Sequence, residues 1–186
     1  MAYDKKTFLK NVTILCDDRE KENSHVLAGF ERLGVKYKTK HLDFGDYSFE
    51  AQDRDFSLSC VIERKRNVDE LYGNIVRDRD RIEKEFTAAV SIANQFVLLI
   101  ENCGNLDELE ATTIPEYEMR KTGRSVPDIG KYVYATIQSW QCGNRYNFRT
   151  VFVKAPEDTA VYMLEVFYWH WRNFKILTAA RRNKKS

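Results

Sequence analysis

The sequence predicts a single domain of the mixed α/β class. Short apolar segments rich in β-branched residues alternate along the chain with longer segments of helical periodicity. The chain has 186 residues, of which 43% are hydrophobic and 13% aromatic, and this is enough for one compact core. We therefore expect one folded domain over residues 1–178, followed by a flexible basic tail over residues 179–186.

Three strands and one helix are predicted in the first third of the chain. The first and third strands are short segments rich in apolar residues, and the second is VKYKTKHL, which remains after the helix ends. Between the first two strands, Ser24 can cap the start of a helix, and Gly34 ends that helix just after Leu33. The second strand leads to a turn at Gly45. The three predicted strands cover residues 11–16, 35–42 and 58–63.

The rest of the chain is predicted to contain a long helical region and two further strands. Apolar residues recur with helical spacing from Val68 to about Ala93, and the polar sequence RDRDR in the middle indicates a break. The polar segment Gly104–Asp128 contains two of the three prolines, so we expect a long loop that acts as a mobile lid. The predicted strands are FVLLIE at residues 96–101, buried on both faces, and RTVFVKA at residues 149–155.

Several classes of protein are disfavoured by the composition and by missing motifs. The longest uninterrupted apolar run, Phe96–Ile100, is too short to cross a bilayer, and the first ten residues lack the apolar core of a signal peptide. We therefore expect an intracellular protein with no membrane partner, cytoplasmic or, in a eukaryote, nuclear. The sequence has no GxxxxGK[ST] phosphate-binding loop, so we expect no ATP chemistry.

The cysteines and the net charge carry less information. The four cysteines are isolated in sequence and fit neither a zinc site nor a disulfide scaffold, so we expect buried free thiols. The net charge of +2 is the remainder of 30 basic and 28 acidic side chains. A nucleic-acid surface would therefore depend on local segregation of charge, not on the total.

Acidic residues follow three neighbouring segments at the points where predicted strands end or turn. Carboxylate oxygens are hard ligands that suit Mg²⁺, and parallel or mixed pairing of the strands would bring these residues to one edge of the sheet. In a strand, residues two apart project from the same face, so Glu63 and Lys65 are expected to point together. The sequence thus outlines a metal site beside an ammonium group. The acidic candidates are Asp17, Asp18, Glu20, Asp46 and Glu63, of which four would gather there with Lys65.

Each of these residues also has an ordinary structural interpretation. An aspartate after a strand or beside a glycine is commonly a turn residue or a helix cap. The charged run Glu63–Arg66 could be a solvated face, although it directly follows three consecutive apolar residues, where an exposed amphipathic strand would have alternated. The three histidines lie near no serine or cysteine motif, so a nucleophilic triad has little support.

The order of the acidic and basic residues resembles the signature of the XPF-type structure-specific endonucleases, a branch of the restriction-enzyme-like nuclease superfamily. The similarity extends beyond the signature, because FVLLIE resembles the family's next strand and FVKAPEDTAVYML resembles its last strand and helix. It covers residues 13–173. The matching signature is Asp17-x-Arg19-Glu20, Gly45-Asp46 and Glu63-Arg64-Lys65-x-x-x-Asp69.

The resemblance implies a restriction-endonuclease-like mixed sheet flanked by helices and a Mg²⁺- or Mn²⁺-dependent endodeoxyribonuclease. Such an enzyme hydrolyses phosphodiester bonds in branched double-stranded DNA, at a flap, a fork or a junction, during DNA repair or recombination. The resemblance further implies that Asp46 and Glu63 bind the metal with help from Asp17 and Glu20, and that Lys65 positions the attacking water.

The resemblance also implies roles for several arginines. Arg19 and Arg64 are expected close to the scissile phosphate, and Asp69 is expected to support the metal ligands. We expect further DNA contacts from Arg66 and from Arg79 or Arg81, between which the sequence does not choose. The alternative for the segment around Arg79 and Arg81 is an ordinary charged helix face held by ion pairs.

One departure from the family pattern affects the expected function. Family members usually carry a tandem helix-hairpin-helix module after the nuclease domain, and these 186 residues leave no room for one, so junction recognition is left open and a separate targeting protein is one way to supply it. The alternative to an active enzyme is a catalytically silent subunit that binds DNA or pairs with a nuclease. The complete set of carboxylates together with Lys65 favours the enzyme.

A helix is predicted for DTAVYMLEVFYWHWRNF at residues 158–174, and its apolar pattern indicates a homodimer. At 100° per residue its apolar residues form two stripes on roughly opposite sides, and one stripe would suffice to bury the helix against the core. A large apolar surface left exposed commonly marks an interface, and a two-fold dimer agrees with how the resembled family assembles. The first stripe contains Ala160, Leu164, Phe167, Trp171 and Phe174, and the second contains Tyr162, Val166 and Trp169.

Overall fold

The computed structural model describes residues 5–122 and 127–183. The helices are α1 (Lys5–Asn11), α2 (Ser24–Arg32), α3 (Val68–Arg77), α4 (Arg79–Ile92), α5 (Leu106–Glu110), α6 (Glu116–Thr122), α7 (Ile129–Gln141) and α8 (Thr159–Asn183), with a short 3-10 turn at Pro156–Asp158. The strands are β1 (Val12–Cys16), β2 (Lys36–Thr39), β3 (Tyr47–Ala51), β4 (Arg54–Asp55), β5 (Cys60–Lys65), β6 (Gln95–Glu101) and β7 (Arg149–Val153).

The strands form one mixed sheet, which confirms the predicted fold class. The spatial order is β2-β1-β3-β5-β6-β7, and β4 forms a hairpin with β3. Strand β1 is parallel to β2, and β5, β6 and β7 are parallel to one another. Strand β3 is antiparallel to both of its main neighbours, β1 and β5. The beginning of β3 therefore lies at the same edge of the sheet as the ends of β1 and β5.

Helices cover the sheet on both sides. The first face, as we call it, is covered by α1, α2 and α8, whose residues Phe8, Phe30 and Phe167 join one apolar cluster. The second face is covered mainly by α3, α4, α5 and α7, which contribute to the other cluster through residues such as Phe86 and Trp140. No helix within the described ranges is both long enough and apolar enough to cross a bilayer.

Strand β5 is buried along its whole length and alternates between the two faces. Cys60 and Ile62 belong to the cluster on the first face, whereas Val61 belongs to the cluster on the second. Continuing this alternation, Arg64 projects to the first face, and Glu63 and Lys65 project to the second. The three charged residues at the end of the strand are thus divided between the two sides of the sheet.

Strand β3 was missing from the sequence-based prediction, which ended the second strand in a turn at Gly45. In the structure, Gly45 instead begins the connection into β3, with φ of +72°. A Cβ atom at this position would lie 2.1 Å from Cγ1 of Val61, so the close approach to β5 requires glycine. Asp46, immediately before β3, donates its amide to Ile62 O at 2.9 Å and accepts from the Asp17 amide at 2.8 Å.

Other differences concern the segments between the predicted elements. The break between α3 and α4 at Asp78 agrees with the prediction. The predicted loop Gly104–Asp128 instead contains α5 and α6, although residues 123–126 lie outside the described part of the chain. Helix α8 continues to Asn183, so the start of the predicted tail is helical, and residues 184–186 are not described. Three of the cysteines are buried as expected, but Cys142 is exposed.

Candidate metal centre

An acidic cleft lies where the ends of β1 and β5 meet the beginning of β3. Its volume is about 210 Å³. Seven carboxylates and four cationic side chains line it, which leaves an excess of negative charge. The lining residues are Asp17, Arg19, Glu20, Asp43, Phe44, Gly45, Asp46, Glu63, Arg64, Lys65, Glu70, Arg81 and Glu85.

Asp46 and Glu63 are two carboxylates of the cleft that lie close enough to influence each other's charge. Oδ2 of Asp46 accepts a hydrogen bond of 2.7 Å from the main-chain amide of Arg64. The pKa of Asp46 is raised well above its usual range, first because the carboxyl group is buried and then because the negative charge of Glu63 is close. Two carboxylates that repel each other in a buried cleft form a site that a bound cation would stabilise.

Lys65 shares this side of the strand with Glu63, as the residue spacing predicts. Its Nζ donates to Oε1 of Glu63 at 2.6 Å, and both side chains are buried. Burial alone would lower the pKa of Lys65, but the attraction of Glu63 and Asp46 outweighs it and raises the pKa. Lys65 therefore carries a fixed positive charge beside the carboxylate pair.

Asp17 lies at the wall of the cleft with both oxygens already engaged. Oδ1 accepts from the amide and from Nε of Arg19, at 3.0 and 2.6 Å. Oδ2 accepts from Nη2 of Arg19 at 3.1 Å and from the Leu42 amide at 2.7 Å. Burial would raise the pKa of Asp17, but these hydrogen bonds lower it. In this arrangement Asp17 fixes Arg19 and the loop before β3, and it does not offer a free oxygen as the predicted metal ligand would.

Arg64 is placed differently from the sequence-based expectation. Its side chain is 2% exposed and lies on the first face, where Nη1 donates to Glu101 Oε2 and Nη2 donates to Glu20 Oε1, each at 2.7 Å. Nη2 also donates to the main-chain oxygen of Glu22 at 2.7 Å. Arg64 is among the residues that line the cleft, but in this arrangement its guanidinium is bound to Glu20, Glu22 and Glu101. Glu20 lines the cleft as predicted, but in this conformation it is bound to Arg64.

The first turn of α3 contributes a carboxylate that sequence reasoning missed. Glu70 lines the cleft, whereas the predicted Asp69 is half-buried and does not. Oε2 of Glu70 accepts from the amide and from Nε of Arg66, both at 2.9 Å. The helix begins with a cap in which the Asn67 side chain accepts from the Glu70 amide. Arg66 is exposed beside the site.

The structure separates the two arginines that the sequence left as alternatives. Arg81 lines the cleft, and its Nη1 donates to Glu85 at 2.7 Å. Arg79 is absent from the lining and pairs with Glu83 at 2.9 Å. Arg81 is therefore better placed than Arg79 to meet a molecule in the cleft.

A second group of potential ligand atoms lies next to the cleft. Asp17, Asp18 and His41 have one oxygen or nitrogen each within 4.8 Å of the others. His41 Nδ1 lies 3.0 Å from Oδ1 of Asp18, and both of these residues are exposed. Because the oxygens of Asp17 are held by Arg19 and Leu42, this group is a weaker metal site than the pair Asp46 and Glu63.

Glu101 was also missed, although the sequence carried a signal for it. It ends the buried strand FVLLIE in the same way that Glu63 follows Cys60–Ile62. Its Oε1 accepts from Thr159 Oγ1 at 2.6 Å and lies 2.9 Å from His25 Nε2. With Arg64, these residues form a buried polar network on the first face.

The solved structures that share this fold include two of XPF. XPF from Aeropyrum pernix is 22% identical, with a TM-score of 0.59, over 90% of this chain and 69% of that chain. XPF from Aeropyrum pernix in complex with DNA is 20% identical, with a TM-score of 0.58, over 87% of this chain and 66% of that chain. No curated protein sequence is significantly similar to this one. The sequence model of the ERCC4 domain matches residues 16–166, from the end of β1 into α8. The chain therefore belongs to the ERCC4 domain family, and its fold is that of an XPF-type nuclease domain.

Proposed function

We propose that this protein is a divalent-metal-dependent endonuclease that hydrolyses phosphodiester bonds in branched double-stranded DNA. The observation that carries the proposal is the convergence of Asp46 and Glu63, next to Lys65, in a cleft with excess negative charge. Membership of the ERCC4 domain family supports it. The DNA complex of XPF from Aeropyrum pernix, which has the same fold, supports DNA as the substrate.

The residues in the cleft fit Mg²⁺ or Mn²⁺. Asp46 and Glu63 would hold the ion through carboxylate oxygens, which are the ligands that Mg²⁺ prefers, and Glu20 lies close enough to the cleft to assist. Asp17 would not bind the ion itself but would fix Arg19 and the loop before β3 through its hydrogen bonds. When bound, the metal would lower the pKa of a coordinated water and stabilise negative charge on the phosphate.

Lys65 provides the positive charge that the chain itself brings to the reaction. Its ammonium group is held against Glu63, so it is oriented before the substrate arrives. From there it can hold the attacking water in place and stabilise the charge that develops on the phosphate oxygens. Preorganisation of this kind costs no rearrangement during the reaction, which is why buried fixed charges are effective.

Three exposed arginines at the cleft are the proposed DNA contacts. Arg19 and Arg81 line the cleft, and Arg66 donates to Glu70, which also lines it, so these arginines would bind phosphates near the scissile bond. Arg79 is the weaker candidate because it faces Glu83. Phosphate contacts give affinity without reading sequence, so a preference for a flap, fork or junction would come from the geometry of the branch or from a separate targeting protein.

The proposal also includes a two-fold homodimer formed through α8. The first apolar stripe of this helix is buried, except for half-buried Phe174, but Tyr162 and Trp169 on the other side are 43% and 48% exposed. Ile176, seven residues further on, is 45% exposed, whereas Val166 is buried and cannot contribute. A seven-residue spacing of large apolar side chains suits packing against another helix.

Light scattering should give the mass of a dimer for the natural chain and of a monomer for Trp169→Glu. A monomeric natural chain at micromolar concentration would remove this part of the proposal.

The nuclease proposal is tested by incubating the protein with labelled flap, fork, four-way junction and linear duplex DNA. With Mg²⁺ we expect cleavage of one or more branched substrates near the branch point, and with EDTA we expect none. A protein that binds junctions but cleaves no substrate with Mg²⁺ or Mn²⁺ would instead be a silent partner subunit.

A further inference from the structure

A buried ion-pair network lies on the first face of the sheet, behind the candidate metal centre. Arg64 and Glu101 are at its core, with side chains only 2% and 1% exposed and a hydrogen bond of 2.7 Å between them. Glu101 is held in turn by Thr159 Oγ1 at 2.6 Å and by His25 Nε2 at 2.9 Å. Both oxygens of Glu101 are therefore fixed by groups from α2, β5 and α8.

The network is connected to the cleft in two ways, both through Arg64. The main-chain amide of Arg64 donates to Oδ2 of Asp46 at 2.7 Å, so the position of this strand residue sets the direction of the Asp46 carboxylate. Its guanidinium also donates to Oε1 of Glu20, which lines the cleft. A shift of Arg64 would thus move two carboxylates on the side where the metal is expected.

The network is not arranged for stability alone. Nε of Arg64 is one of four buried side-chain nitrogen and oxygen atoms, among the described residues, that have no hydrogen-bond partner. A buried ion pair also costs desolvation that its attraction repays only in part, and replacing such pairs by apolar residues is often neutral. A role in positioning the cleft would explain why two opposite charges are placed here.

We propose that Glu101 is a positioning residue that sets the affinity of the cleft for a divalent cation, acting through Arg64. The inference rests on the proposed metal centre of Asp46 and Glu63. Glu101 holds the Arg64 guanidinium on the first face and offsets its positive charge. Without the negative charge of Glu101, that positive charge would bear more strongly on Glu20 and on the cation, and both effects weaken cation binding.

The test is Mn²⁺ binding without DNA, measured by titration calorimetry on three folded proteins. Glu101→Gln keeps the shape of the side chain and removes its charge. Glu83→Gln is the matched control, because Glu83 also accepts hydrogen bonds from an arginine, Arg145, at 2.6 and 3.2 Å, but it does not line the cleft. We expect the Mn²⁺ dissociation constant to rise about tenfold in Glu101→Gln, which is typical when a group behind a metal ligand is removed, and to stay within about twofold in Glu83→Gln.

A second pair of variants keeps the inference testable if Glu101→Gln does not fold. Thr159→Val removes the hydroxyl that orients Glu101 while keeping the size of the side chain, and Thr159→Ser retains the hydroxyl. We expect Thr159→Val to bind Mn²⁺ on the order of threefold more weakly than Thr159→Ser, because one hydrogen bond to the carboxylate is lost.

The outcomes separate this inference from the function on which it rests. If the natural protein binds no Mn²⁺, the proposed metal centre itself is wrong, and the inference fails with it. If the natural protein binds Mn²⁺ and Glu101→Gln or Thr159→Val binds it equally well, the metal centre stands and the positioning role of Glu101 is overturned. A greater loss of Mn²⁺ affinity in Glu101→Gln than in Glu83→Gln supports the positioning role of Glu101.

Discussion

The two faces of strand β5 carry charged residues in opposite arrangements. On the first face, the positive charge of Arg64 is enclosed by the carboxylates of Glu101 and Glu20 and by a main-chain oxygen. On the second face, Glu63 and Asp46 repel each other, and Lys65 only partly balances them within a cleft of excess negative charge. Consecutive residues of one strand thus serve different purposes. Paired charges on the first face hold the structure, whereas the unbalanced carboxylates on the second face are available to bind a cation.

The largest effect expected from this contrast is on cleavage. Asp46→Asn or Glu63→Gln should reduce the rate of branched-DNA cleavage with Mg²⁺ by about 1000-fold or more, because each removes a proposed metal ligand. Affinity for the same DNA in Ca²⁺, which supports binding without positioning the water, should hold or rise since a charge that repels phosphate is lost. A Glu63→Gln protein that cleaves at the natural rate would contradict the assignment of the second face.

Lys65→Ala should lower the cleavage rate by about 100-fold to 1000-fold, which is typical for the loss of one preorganised charge at the reacting centre. Raising the Mg²⁺ concentration should not restore the rate, because the ammonium group and the metal act at different points. Single-turnover cleavage of a flap substrate across a Mg²⁺ series measures this. Recovery of the natural rate at high Mg²⁺ would mean that Lys65 only helps to hold the metal.

On the first face the expected effect is on stability. Glu101→Ala should lower the free energy of unfolding by about 3 kcal/mol or more, because it leaves the buried guanidinium of Arg64 without its main partner. Urea denaturation followed by circular dichroism gives this value. The surface variant Glu116→Ala removes the carboxylate of an exposed ion pair with Arg120 and should change it by less than about 1 kcal/mol. A loss in Glu101→Ala no larger than in Glu116→Ala would mean that the first-face network does not stabilise the fold.

Removing the charge of Asp46 on the second face should raise the stability of the fold, whereas removing Glu101 from the first face should lower it. The pKa of Asp46 is raised in the folded protein, so folding becomes less favourable as the pH rises from the usual aspartate pKa of about 3.9 through the raised folded value. Above that range the ionised group destabilises the fold, and Asp46→Asn should remove the penalty. In EDTA at neutral pH we expect Asp46→Asn to be more stable than the natural protein by about 0.5–2 kcal/mol. Equal stability of the two proteins from acid to neutral pH would show that Asp46 is not under electrostatic strain.

Much of the site could be predicted because it depends on strand ends. The carboxylates after β1 and β5 lie at the edge where those strands end, and Asp46 joins them even though the strand that it precedes was not predicted. The prediction required only a turn at Gly45. Because β3 is antiparallel to β1, Asp46 at the beginning of β3 lies at the edge of the sheet where β1 ends. Because successive side chains of a strand point to opposite faces, the same alternation that places Glu63 beside Lys65 places Arg64 on the other face. The position of Arg64 on the first face could therefore have been predicted from the sequence.

Other features of the site could not be predicted because they depend on side-chain partners from distant segments. The saturation of Asp17 requires Arg19 to fold back on it and the Leu42 amide to approach from the loop before β3. Arg81 lines the cleft whereas Arg79 pairs with Glu83, and this depends on how α4 packs after the break at Asp78. Neither is visible in the local residue pattern.

The central claim, that Asp46 and Glu63 form the cation site, is tested most directly by Mn²⁺ titration of the natural protein, Asp46→Asn and Asp18→Asn. Asp18 belongs to the neighbouring group with Asp17 and His41, so this comparison decides between the two places where an ion could bind. We predict at least about a tenfold rise in the Mn²⁺ dissociation constant for Asp46→Asn and a change of less than about twofold for Asp18→Asn. A loss of affinity in Asp18→Asn with none in Asp46→Asn would contradict the claim and place the ion in the other group.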